Sequence, residues 1–162
     1  MPNLIYRAIE TPIVFADSGG DIVITLANLG FGAGRVSARY DRGAGSKARW
    51  YEWRGVIQFE TAPALGEVVE IYLFPSDGTY MDGTLGTADA ALTSDKRRNG
   101  QWIGNVVVDT VSVTTDIIAS GMCYINSRYV SVGIWNASAG DNLENTATAN
   151  RITLTPIPDE IQ

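Results

Sequence analysis

Residues 50–59 read W-Y-E-W-R-G-V-I-Q-F, with bulky apolar side chains at Tyr51, Trp53, Ile57 and Phe59 and the polar Glu52, Arg54 and Gln58 between them. Successive side chains of an extended chain point to opposite faces, so this period of two predicts a half-buried β-strand. After the break T-A-P-A-L-G at 61–66 the alternation resumes over 67–74, with Val69, Ile71 and Leu73 on one face and Glu70 and Tyr72 on the other. Two long strands separated by a turn containing Pro and Gly predict a hairpin at the centre of an antiparallel sheet.

The same signal recurs along the chain. Segments 21–27, 35–40, 102–108 and 151–155 read as strands, the last presenting Ile152 and Leu154 to the core before Pro156 and Pro158 stop it, and 111–118 reads as another strand or a bulged continuation of 102–108. Segments 122–125 and 129–136 read as a pair joined through Asn126-Ser127-Arg128, and in the second Val130, Val132 and Ile134 oppose Tyr129, Ser131, Gly133 and Trp135. Residues 1–20 hold two short apolar pieces, 4–9 and 13–15, which suit an edge strand or an arm. Residues 75–101 lack strand pattern, a length that in a compact domain marks a local element or a functional loop. Good helix formers over 88–97 allow one short helix there. No fixed-period repeat is visible, which excludes solenoids and propellers. The expectation is an all-β single domain over 1–162: a two-sheet antiparallel β-sandwich of jelly-roll type with at most one short helix in the long loop.

Composition narrows the function classes. A chain of 162 residues buries a core without disulfides or metals, and its single cysteine, Cys123, set among Met122, Tyr124 and Ile125, reads as a buried small hydrophobe. The formal net charge of -6 repels phosphate backbones, so nucleic acid is not an expected partner. No signal-peptide pattern and no apolar run of membrane-spanning length occur, so the expected product is soluble and made in a cytoplasm. The sequon at Asn136-Ala137-Ser138 is then a chance match.

Chemistry is sparse. The chain has no histidine, which removes the usual nucleophilic triads and leaves only hard oxygen ligands for a metal. Glu52 and Glu60 share a strand face but lie ~26 Å apart at strand rise, beyond the roughly 5–10 Å of a glycosidase pair. Glu52 with Glu70 remains open geometrically, although solvated charges beside Arg54 are the plainer reading. Asp77, Asp82, Asp89 and Asp95 share the long loop, where Asp77-Gly78 and Asp82-Gly83 read as turns rather than calcium ligands. The glycines of 28–34 lack the Lys-Ser/Thr and helix of a phosphate loop and read as a plain connection. The expectation is a protein that is not an enzyme and carries no cofactor or metal. Trp50, Trp102, Tyr129 and Trp135, with Tyr72, could form an exposed aromatic platform for a protein partner or a sugar, while Trp53 reads as core.

The run W-Y-E-W-R-G-V-I-Q-F-E-T-A-P-A-L-G-E-V-V-E-I-Y-L-F-P-S-D-G, with I-G-N-V-V-V-D and the ending I-T-L-T-P-I-P-D-E-I-Q, resembles small virion structural proteins of tailed bacteriophages, in particular β-sandwich head decoration (cement) proteins. The resemblance covers 50–162 and includes no catalytic signature. It implies a virion protein that binds the major capsid protein lattice as a homotrimer, with alternatives in a carbohydrate-binding or receptor-binding module of the tail and in a tail-tube or neck component. On that reading the segments least explained by the core make the contacts: Leu4, Ile5, Tyr6, Ile13 and Phe15 in the arm, and Tyr80, Met81, Arg97 and Arg98 in the long loop. Trp50, Trp102 or Trp135 would be the stacking platforms of the carbohydrate alternative.

Overall fold

A computed structural model describes residues 10–44, 47–80 and 86–157. Eleven strands form two sheets: β1 (Ile13–Ala16), β2 (Ile22–Val23), β3 (Gly34–Val36), β4 (Tyr40–Asp41), β5 (Trp50–Ile57), β6 (Val68–Ser76), β7 (Ala90–Leu92), β8 (Gln101–Val107), β9 (Ile117–Tyr124), β10 (Tyr129–Asn136) and β11 (Arg151–Ile157). Sheet A runs β2-β1-β11-β5-β9 and sheet B runs β7-β3-β10-β6-β8, with β4 also on β10. Apart from the short parallel contact of β1 with β2, the described pairings are antiparallel. No helix of the described residues is long and apolar enough to cross a membrane.

Setting aside the short β2, β4 and β7, the first of the remaining eight strands pairs with the last (β1 with β11), the second with the seventh (β3 with β10), the third with the sixth (β5 with β9) and the fourth with the fifth (β6 with β8). This nested pairing, wound into two sheets, is the jelly roll. The expected fold class is therefore the observed one.

The expected hairpin is not. β5 lies in sheet A and β6 in sheet B, so the segment between them crosses the sandwich instead of turning back. Residues 58–67 are far longer than a two-residue hairpin turn, and part of the crossing is pinned by the bridge of Phe59 to Leu143. The proposed pairing of 122–125 with 129–136 fails in the same way, since β9 and β10 belong to opposite sheets. The alternation itself holds, because each strand still buries one face: Tyr51, Trp53 and Ile57 meet Val69, Ile71, Leu73, Val130, Val132 and Ile134 across one main core. Trp53 fills space left by two glycines, for a Cβ at Gly121 would lie 2.8 Å from its Nε1, and one at Gly104 would overlap its ring.

Other boundaries moved. Residues 21–27 form strand only at β2, after which Ile24 and Leu26 are buried in irregular chain whose Leu26 and Ala27 amides donate to the Asp17 carboxylate at 2.9 and 2.6 Å. Residues 35–40 are split between β3 and β4, and Ser37 at the break exchanges hydrogen bonds with Val132. Residues 111–116 are loop, with strand beginning at Ile117. β11 continues through Pro156 to Ile157, because β1 begins opposite Leu154 and makes no demand on the missing amide. The expected helix over 88–97 is instead the edge strand β7 followed by a 3-10 turn, Lys96–Asn99.

The segment 86–100 is explained by its position: it pairs β7 with β3 at the far edge of sheet B and returns across the outer face of that sheet to β8 at the opposite edge. Beneath it a second cluster forms from Val36, Tyr72, Phe74, Leu92 and Trp135. Phe74 lies flat over Gly133 and Gly100, where a Cβ at Gly100 would sit 2.6 Å from its Cζ. β6 and β10 are consequently buried on both faces.

Candidate binding surface

The sequence-predicted contact residues scatter. Leu4, Ile5, Tyr6 and Met81 lie outside the described residues. Ile13 and Phe15 are not an arm: both point into the core at 3% and 0% exposure, because β1 pairs with β11 inside sheet A. Trp135 is not an exposed platform either, being 8% exposed beneath the Arg97 guanidinium, 4.4 Å from its ring centroid. Arg97 also pairs with Glu70 at 2.5 Å, and Glu70 accepts the Tyr72 hydroxyl at 2.7 Å. That contact and burial push the Tyr72 hydroxyl up to about 12. Tyr129 is half-buried between two cations, Arg39 at 4.6 Å and Arg128 at 4.8 Å from its centroid. Trp50, Trp102, Tyr80 and Arg98 are exposed.

The remaining chemical candidates resolve into structure. Glu52 and Glu70 sit on outward faces of opposite sheets, so they cannot act as a pair. Asp77 caps a turn by accepting the Thr79 and Tyr80 amides at 2.7 and 2.9 Å, which holds its carboxyl below the usual range. Asp89 latches the long segment to the sandwich by accepting the Thr25 hydroxyl and pairing with Arg35. Among the described residues no group of three or more acidic, His or Cys side chains could hold a metal. Burial pushes the Cys123 thiol up to about 12, so it is no nucleophile. The sequon residue Asn136 is fully buried and donates to the carbonyls of Leu29 and Asp141 at 3.0 and 2.8 Å.

Two surface features survive this sorting. The first is a row along β9, an edge strand whose outward residues Ile118, Met122 and Tyr124 are 47%, 59% and 36% exposed. Trp50 extends it from β5, opposite Tyr124 in register and packed edge-on against it at 5.2 Å. Val111 and Val113, exposed in the loop before β9, add to the apolar area.

The second lies at the end of the sandwich where β5 and β10 begin and β6 and β9 end. Two clefts of about 340 and 320 Å³ adjoin there, sharing the wall Ile125-Asn126-Ser127. One is lined by Arg42, Lys47, Arg49 and Arg128. The other is lined by Leu73, Pro75, Gln101, Tyr124 and Val130. Arg42 is the keystone of this end. It is only 6% exposed, and its guanidinium donates to the carbonyls of Ala48, Ile125 and Ser127 and to the Tyr51 hydroxyl. Tyr51 in turn donates to Glu10 at 2.7 Å, and burial with that contact pushes its hydroxyl up to about 12. Arg128 grips Asp41 with two hydrogen bonds of 2.8 Å. With the Gly43 amide, that grip draws the Asp41 carboxyl down to about 2.

Sequence reasoning missed this end because its parts are far apart, the Arg42 contact to Ile125 spanning 83 positions. The readable signal was the cluster of four cations within 39–49 of an acidic chain. Comparison with known protein families, curated proteins and solved structures gives no match.

Proposed function

We propose that this chain is a non-enzymatic structural protein of a virion that binds the outside of a phage capsid and stabilises it, assembling as a homotrimer. The observation that carries the reading is the apolar row of Ile118, Met122 and Tyr124 on β9, which is unpaired on its outer side among the described residues, extended by Trp50 of β5. An edge strand with exposed apolar side chains is an aggregation hazard unless a partner covers it. Burying such side chains is worth about 1.5–3 kcal/mol each, and a lattice that presents many copies multiplies modest contacts into firm attachment. Jelly rolls serve as capsid and lectin domains, and the likeness of 50–162 to head decoration proteins points to the first.

Co-sedimentation with capsids assembled from the accompanying major capsid protein tests this. Wild-type protein should pellet with the particles and sediment as a trimer when free, and Met122→Glu should abolish pelleting without lowering the melting temperature. Failure of the wild-type chain to bind would refute the capsid role, and a ring of six would favour the tail-tube or neck alternative.

A further inference from the structure

The paired clefts at the sandwich end carry an inference beyond docking along β9, with Tyr124 common to both. The cationic cleft is lined by four basic side chains, and no carboxylate lines it among the described residues. Nearby acids are already committed: Asp41 to Arg128, and Glu10 to Tyr51 and the Ala48 amide. Arg42 is consumed by backbone carbonyls, so it contributes fixed positive charge rather than free donors. Lys47 and Arg49, on the chain leading into β5, are the side chains placed to meet a ligand.

The adjoining cleft has a different chemistry. Its lining holds one aromatic residue, Tyr124, packed edge-on with Trp50, together with the polar Gln101, Asn126 and Ser127 and the apolar Leu73, Pro75 and Val130. Few polar groups on an apolar wall fix the orientation of a small polyhydroxylated ring, while the aromatic covers its apolar face. A ligand filling both clefts therefore joins an oxyanion to a neutral hydroxylated ring. A densely charged polyanion is disfavoured, since the chain as a whole carries -6.

We propose that this end of the jelly roll binds an acidic sugar, with its carboxylate held by Lys47 and Arg49 and its ring seated against Tyr124 between Gln101, Asn126 and Ser127. The bond set is non-covalent: the cationic N–H groups donate to the carboxylate, and the neutral cleft supplies both donors and acceptors to the hydroxyls.

The test is a two-dimensional amide NMR titration of the intact protein with sialyllactose and trigalacturonate, with the methyl esters of both, and with inorganic phosphate. At least one acidic sugar should give saturable shifts at Gly43, Tyr124, Asn126 and Ser127, and its ester should bind about tenfold more weakly. Lys47→Ala/Arg49→Ala should weaken the acidic sugar by a similar factor while keeping the wild-type melting temperature. Tyr124→Ala should weaken the sugar and leave phosphate binding unchanged. The proposal is overturned if neither acidic sugar gives saturable shifts, or if an ester binds as tightly as its acid. It is overturned equally if phosphate alone matches the sugar, which would make this a plain oxyanion site. Because Met122 lies outside both clefts, failure here and failure of capsid binding are separate results.

Discussion

The two sheets of the sandwich treat their outer faces differently. Sheet B is covered by the segment 86–100, and its outward Tyr72, Phe74 and Trp135 form a second buried cluster. Among the described residues sheet A carries no such cover along β5 and β9, and its outward Trp50, Met122 and Ile118 are exposed. The covered face adds to the fold's stability, and the exposed one is the face proposed above to meet a partner. The described residues 86–100 of the long loop supply that cover, while its candidate contacts Tyr80 and Arg98 are exposed.

Removing the anchor of the covered face should have the largest effect. Phe74→Ala empties the space over Gly133 and Gly100 and should cost about 3–5 kcal/mol, read as a lowered urea midpoint. An equivalent loss from truncating an exposed residue such as Met122 would erase the contrast between the faces.

Alkaline pH comes next, since each ionising group taken singly removes less than that truncation. Tyr51 and Tyr72 rise from 10.0 to about 12, and Cys123 rises from 9.0 to about 12. A raised folded value means that the stability it reflects is fully present below the unfolded value and is lost as the pH climbs through the folded one. The denaturation midpoint should therefore hold steady up to about pH 9 and fall between there and pH 12, by on the order of 2 kcal/mol for each group that ionises. A midpoint flat across that window would show that these groups are not buried as described.

Smaller still is the latch on the roof. Arg97→Ala loses the pair with Glu70 and the stacking on Trp135, a partly exposed arrangement worth about 1 kcal/mol. Faster amide exchange over 86–100 than over β9 should accompany it. On the bare face, Met122→Glu should change stability by less than about 0.5 kcal/mol, since the side chain is already in water.

What the sequence revealed follows from what alternation can encode. Period two assigns inward and outward faces within a strand, so Tyr51, Trp53, Val130, Val132 and Ile134 were readable as core. It says nothing of which strand is the neighbour, and consecutive strands in a jelly roll often lie in opposite sheets, which is why two expected pairings failed. A strand buried on both faces also defeats it: Trp135 sits at an outward position of β10, and only the distant Arg97 and Leu92 reveal that it is covered. Of the two readings of 1–20, edge strand or arm, residues 13–16 follow the first: β1 lies beside the two-residue β2 near the edge of sheet A and buries Ile13 and Phe15 through its pairing with β11. The paired clefts were out of reach, for they join residues 42–49 to 125–128 through backbone carbonyls that no residue pattern records.

The division between a covered face and a docking face is tested most directly by capsid co-sedimentation of two charge variants, Met122→Glu on sheet A and Arg98→Glu on the roof of sheet B. The account predicts that Met122→Glu stays in the supernatant while Arg98→Glu pellets like the wild type; loss of binding by Arg98→Glu with retention by Met122→Glu would contradict it.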